Sequence, residues 1–168
     1  MKLLYPNLYL ESIYQLDFDK LSDKGIKGII TDLDNTLIAW KDEQLSRQLE
    51  NWLQEAEHKG IKLCIVSNNH KSRVHKFAKK AGLPAIPKAN KPRRKAFLAA
   101  LETLNLPTEK VAVIGDQIFT DVLGGNRLGL YTILVVPIDD KEFFGTKILR
   151  MLERFILRKI KPHDRGTV

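Results

Sequence analysis

The sequence predicts a Rossmann-like three-layer α/β/α sandwich built on a mainly parallel sheet of five strands. Three observations carry that reading. Short β-rich apolar runs alternate with longer amphipathic segments, which implies right-handed crossovers and helices on both faces of a sheet. Glycines follow the amphipathic segments, where a helix C-terminus favours them. Polar residues close the apolar runs, on the edge where such sheets bind ligands.

The elements follow in order. The runs at residues 28–32, 62–67, 85–86, 110–115 and 131–135 have strand length and strand composition. The intervening segments at 42–59, 70–81, 93–104 and 119–128 read as helices, and so does 141–161. Gly60, Gly82 and Gly129 punctuate helix ends, and Pro92 suits the first turn of a helix, where a missing N–H costs nothing. The first 24 residues carry the weakest pattern. They are expected to be irregular structure packed on the sheet.

Composition narrows the class. A chain of 168 residues, 43% hydrophobic and 29% charged, has the size and balance of one globular domain, 1–168, with its core at 26–136 and a basic helical segment at 141–161. No apolar run approaches the roughly 20 residues that span a bilayer, and the N-terminus lacks a signal-peptide core, so a cytoplasmic protein is expected. Cys64 is the only cysteine, which excludes an internal disulfide, and it reads as a small core residue. The net charge of +8 favours anionic partners. Residues 141–168 hold eight Lys or Arg against three Asp or Glu, a net of +5, so most of the imbalance lies there.

Four motifs sit at predicted strand ends or helix starts: DLDNT at 32–36, VSNN at 66–69, NKP at 90–92 and GDQIFTD at 115–121. In this order they resemble the haloacid dehalogenase-like (HAD) superfamily of phosphotransferases, over residues 26–135. The chemistry gives each residue type a reason. A free aspartate titrates near pH ~3.9, so Asp32 is expected to be ionised at neutral pH without a base. It can attack phosphorus and form a phospho-aspartate. Asp34, close to other carboxylates, is placed to protonate the leaving alkoxide and then to activate water. Backbone N–H groups around Asn35 can cradle phosphate oxygens.

A dianionic phosphate repels an anionic nucleophile, and Mg²⁺, which takes hard oxygen ligands, relieves that repulsion. The resemblance implies that Asp32 and Asp116 bind the metal through carboxylates and Asp34 through its main-chain carbonyl, with Asp121 supporting the shell directly or through water. It also implies that Lys91 adds positive charge and that the Ser67 hydroxyl and Asn68 amide grip the phosphoryl group. Each has a plainer alternative. Asp32 and Asp34 also suit a loop cap, Asp116 a turn cap, and Ser67-Asn68-Asn69 an ordinary turn. Lys88 competes with Lys91. His58, His70, His75 and His163 lack metal-ligand spacing and read as solvated.

In the superfamily the motifs resemble, phosphatases keep an acid–base residue at this place and ion-pumping ATPases carry threonine, so the resemblance implies that Asp34 favours hydrolysis of a phosphate monoester. The gaps between Asp34, Ser67 and Lys91 are too short for a lid domain, so a capless enzyme with an open site is expected, unless an oligomer supplies the lid. In 141–161, Ile148, Leu152, Phe155, Ile156 and Ile160 share one helical face, and Lys or Arg fill much of the rest. Such a helix packs on the sheet, touches an acidic membrane, or does both. GDQIFTDVLGGNRLGLYTILV and NKP look like a narrower group, the YqeG-type class III-A phosphatases, related to the phosphatidylglycerophosphate phosphatases of anionic phospholipid synthesis. The expected substrate is therefore phosphatidylglycerophosphate, met at the inner membrane surface, with no specific nucleic-acid binding. The alternatives are a soluble phosphatase for sugar phosphates or nucleic-acid ends, and a phospho-aspartate sensing module.

Overall fold

The structure, a computed structural model, describes residues 2–139. The expected basic helix at 141–161 lies outside them. Six strands form one parallel sheet: β1 (Leu8–Leu10), β2 (Gly28–Thr31), β3 (Lys62–Val66), β4 (Ala85–Ile86), β5 (Val111–Gly115) and β6 (Tyr131–Val135). Their order is β1-β6-β5-β2-β3-β4. Strand β2 is flanked by β3 on one side and β5 on the other, so the direction of winding reverses beside it.

Alternation along the strands separates two cores. Ile29, Leu63, Ile65, Ala112 and Ile114 face a cluster with α1 (Phe18–Asp23), α2 (Arg47–His58) and α3 (Lys71–Ala81). Ile30, Cys64, Val66, Val111 and Val113 face Phe97, Ala100 and Leu104 of α4 (Arg94–Leu104). Strands buried on both faces read as continuous apolar runs, as these do. Cys64 is fully buried, and burial pushes its thiol up to about 12, which leaves it an inert core residue.

Several elements depart from the sequence reading. The N-terminus is ordered: β1 adds a sixth strand at the sheet edge, and α1 is capped by Asp17, whose Oδ1 accepts from the Lys20 N–H at 3.0 Å. Asn7 registers β1 by donating its N–H to Thr132 O and accepting the Thr132 N–H, both at 2.8 Å. A three-residue strand leaves too little alternation to read. Helix α2 starts at Arg47, not at 42, because Ser46 is its cap and Oγ accepts from the Leu49 N–H at 3.2 Å. Pro92 lies before the helix rather than in its first turn. A turn closed by the Arg93 N–H on Asn90 O at 3.0 Å intervenes, and α4 begins at Arg94. The single helix expected at 119–128 is a π-turn, Ile118–Val122, followed by the short α5 (Leu123–Asn126). Gly82 terminates α3 with φ +67°, the left-handed conformation expected of it.

Candidate active site

Parallel pairing sets the floor of the site. Thr31 is in register with Ile65 and Ile114, so Asp32, Ser67 and Asp116 emerge together beyond the carboxyl ends of β2, β3 and β5. All three are buried, as are Asp34, Asn35, Lys91 and Asp121. A pocket of about 340 Å³ opens above them. Asp32, Asp34, Asn35, Ser67, Asn68 and Lys91 line it. No inserted domain stands between Asp34 and Ser67 or between Ser67 and Lys91 to cover it.

Lys91 is the hinge of the charge arrangement. Its ammonium donates to Asp32 Oδ1 at 2.6 Å and to Asp121 Oδ1 at 2.7 Å, with the lysine side chain only 3% exposed. Lys88, the competing candidate, is exposed. Burial opposes the charge on Lys91, but Asp121 and Asp32 outweigh it and raise its pKa above the ordinary lysine value, so it stays charged. Asp121 is anchored at both oxygens, since Oδ2 accepts the Gln117 N–H at 3.2 Å. Asp121 thereby supports Lys91 from the turn after β5. The π-turn explains how Asp121 arrives: its N–H and that of Val122 both bond Gln117 O, which winds the carboxylate back toward β5. Thr36, at the end of the first motif, donates to Asp116 Oδ1 at 3.1 Å.

Gly115 makes room for this. A Cβ there would lie 2.3 Å from the Asp121 carboxyl carbon. Gly115→Ala is expected to cost about 1–3 kcal/mol through overpacking and to displace Asp121 from Lys91. A lower denaturation midpoint together with reduced activity checks it.

The donor set fits a divalent cation. One carboxylate oxygen from each of Asp32, Asp116 and Asp121 lies within 4.8 Å of the others, all three residues being buried. Among the described residues, the Lys91 ammonium bridges two of these acids, Asp32 and Asp121. Clustered buried carboxylates are costly, and their hard oxygens suit a divalent cation. The Asp32 carboxyl reports the same deficit. Burial pushes it up to about 7, with Lys91 pulling down and Asp121 and Asp34 pushing up. Burial thus works against the negative charge on Asp32, and positive charge beside it favours the ionised form.

That shift has a stability consequence. Between the ordinary aspartate value and about 7 the folded chain holds a proton that the unfolded chain has released. Stability of the metal-free chain should therefore fall as pH rises through this window. In chelator, the denaturation midpoint is expected to be lower at about pH 8 than at about pH 5, and Mg²⁺ should raise it more at the higher pH. Equal midpoints would contradict the assignment.

The polar loops serve the framework more than the sequence reading anticipated. The Asn68 side chain clasps the Lys91 backbone, accepting its N–H at 2.7 Å, rather than standing free to grip phosphate. The Ser67 hydroxyl accepts the Asn69 N–H at 3.1 Å. Asn35 adopts φ +64° and donates its N–H to Ile38 O at 2.6 Å within its own loop, so that donor is not offered to a phosphate. Its carbonyl and Oδ1 accept the N–H groups of Ile138 and Asp139.

Sequence reasoning missed Arg73 and Asn69, which hold Asp34. It also missed Trp40, His70, Gln117 and Thr120, which line the pocket. Only position near a motif could have flagged them. Arg73 sits on a helix rich in lysine, where one more cation carries no signal.

Known proteins agree with this architecture. Residues 29–90 match the family model of haloacid dehalogenase-like hydrolases, and residues 88–136 match a second, HAD-hydrolase-like model. The chain is 45% identical over 160 residues to the Bacillus subtilis protein described as probable phosphatase YqeG, covering 95% of this chain and 93% of that one. The chain belongs to the haloacid dehalogenase-like hydrolases. It is a phosphatase of that family. More distant relatives include the Saccharomyces cerevisiae phosphatidylglycerophosphatase GEP4, 28% identical over 80% of this chain and 82% of that protein. Phosphatidylglycerophosphate phosphatase 1 of Arabidopsis thaliana is 23% identical, and the match covers 97% of this chain but only 51% of that protein. Among solved structures, the cobalt-bound deoxy-D-mannose-octulosonate 8-phosphate phosphatase of Haemophilus influenzae superposes with a TM-score of 0.52 at 16% identity, over 69% of this chain and 70% of that one, a likeness of fold.

Proposed function

We propose that this HAD phosphatase is a Mg²⁺-dependent phosphate monoester hydrolase that works through a phospho-Asp32 intermediate, and that its substrate is phosphatidylglycerophosphate. The observation carrying the chemistry is the cluster of Asp32, Lys91, Asp121 and Asp116 at the floor of an open pocket. Mg²⁺, when bound by the acidic residues, supplies positive charge against the phosphate dianion.

The chain's own groups divide the work. An Asp32 carboxylate oxygen attacks phosphorus while the bond to the leaving oxygen breaks, its electron pair staying with that oxygen. A protonated Asp34 carboxyl gives that oxygen a proton. Water then attacks the phospho-aspartate, Asp34 takes the water proton, and the electron pair of the breaking bond returns to the Asp32 carboxylate. Lys91 holds Asp32 in place and offsets charge throughout.

The lipid assignment is supported by relatives described as phosphatidylglycerophosphate phosphatases. An open pocket admits a headgroup that remains in a bilayer. Trp40, 37% exposed at the pocket rim, offers an amphipathic ring suited to a membrane interface. No helix of the described residues is long and apolar enough to cross a membrane. The access we propose is peripheral, at a membrane surface. The test is phosphate release from phosphatidylglycerophosphate in mixed micelles with Mg²⁺. Turnover is expected. None, alongside rapid turnover of sugar phosphates, would reject the lipid and favour a soluble substrate.

A further inference from the structure

We infer that Arg73 is a positioning residue for the proton transfer, fixing which oxygen of Asp34 meets the leaving group. This rests on the reading of Asp34 as acid and base. The Arg73 side chain donates twice to one carboxylate oxygen of Asp34, from Nε at 2.8 Å and from Nη2 at 2.7 Å to Oδ1. Asn69 donates from Nδ2 to the other oxygen, Oδ2, at 2.9 Å. Both side chains of the ion pair are largely buried, at 16% and 9% exposure.

The two partners take different oxygens. Asn69 and Asp34 line the pocket, whereas Arg73 does not. The guanidinium, which does not line the pocket, occupies Oδ1 with two donations and withdraws it from the reaction. Oδ2, with the Asn69 amide beside it, is left as the oxygen that gives its proton to the leaving alkoxide and later takes one from water. No atom of Arg73 joins either transfer.

The same arginine ties together the elements that must keep this geometry. Its Nη2 reaches Ala39 O at 3.4 Å, on the loop that carries Asp34 away from β2. One turn along α3, Lys76 pairs with Glu43, and Lys80 Nζ donates to Glu43 O at 2.8 Å. Helix α3 thus holds the loop at several points, but only Arg73 touches a reacting group. A carboxylate on a short loop has two free side-chain torsions, and misplacing it by about 1 Å lowers a rate by about 100-fold.

The test compares two substrates of similar shape, phenyl phosphate and p-nitrophenyl phosphate. Phenolate is basic and leaves poorly without a proton; nitrophenolate leaves without one. The parameter is kcat/KM, which covers the chemistry only through departure of the first product. Arg73→Gln should lower kcat/KM for phenyl phosphate by about 100-fold and for p-nitrophenyl phosphate far less. Arg73→Lys should restore part of the difference. It also supplies the comparison if the glutamine variant fails to fold. Equal losses on both substrates would mean a structural role only, and no loss would mean no role; either overturns the assignment. Asp34→Asn is the control. Leaving-group selectivity there without selectivity at Arg73 refutes Arg73 alone. Absence of selectivity at Asp34 refutes the acid itself and takes Arg73 with it.

Discussion

Replacing Lys91 with methionine is expected to lower stability by about 3–5 kcal/mol and to reduce activity by several orders of magnitude. Methionine keeps much of the volume and apolar stem, so the change isolates the ammonium. That ammonium is the shared partner of Asp32 and Asp121, at 2.6 and 2.7 Å, on the buried floor of the pocket. Removing it leaves adjacent buried carboxylates facing one another. Part of the loss should be relieved at low pH, where the acids take up protons, and part by Mg²⁺, which supplies charge to the same oxygens. Urea denaturation at two pH values, with and without Mg²⁺, checks this. A variant as stable as the natural chain at neutral pH in chelator would mean that Lys91 does not neutralise the cluster.

Asp32→Asn should behave in the opposite way in one respect. Activity is expected to fall by about 10³-fold or more, because an amide neither attacks phosphorus nor carries the intermediate. Stability should hold or rise in chelator, because the substitution removes a carboxyl that burial has pushed up to about 7 and that repels Asp121. Midpoint and rate measured on the same preparation separate lost chemistry from lost fold. Full activity would remove the nucleophile from the account, and a large fall in stability would contradict the electrostatics.

The central strands were legible because β2, β3 and β5 are buried on both faces and end in polar residues, so apolar runs marked the sheet and their ends marked the site. Parallel pairing then places Asp32, Ser67 and Asp116 on one edge, a property of topology that follows from the alternation of elements. Other parts left no local trace. Strand β1 owes its place to the bonds between Asn7 and Thr132, far apart in sequence. The π-turn at Ile118–Val122 is wound by the need to bring Asp121 to Lys91, and nothing in helical periodicity announces it. Arg73 was unreadable for the same reason, since its meaning depends on Asp34, which comes from another element. The motifs mark Asn35 and Asn68 as phosphate donors, yet in the structure both also hold the surrounding loops. Motif position located them without revealing which atoms they would face.

The most direct measurement captures the phosphoryl group on the chain. Asp34→Asn should slow breakdown of the intermediate, so the variant is mixed with p-nitrophenyl phosphate and Mg²⁺, then quenched with borohydride, which reduces an acyl phosphate to the alcohol. Peptide mass analysis is expected to find homoserine at position 32 and at no other aspartate, with none when Mg²⁺ is withheld. Turnover accompanied by an unmodified Asp32, or by homoserine at Asp116 or Asp121, would contradict the account.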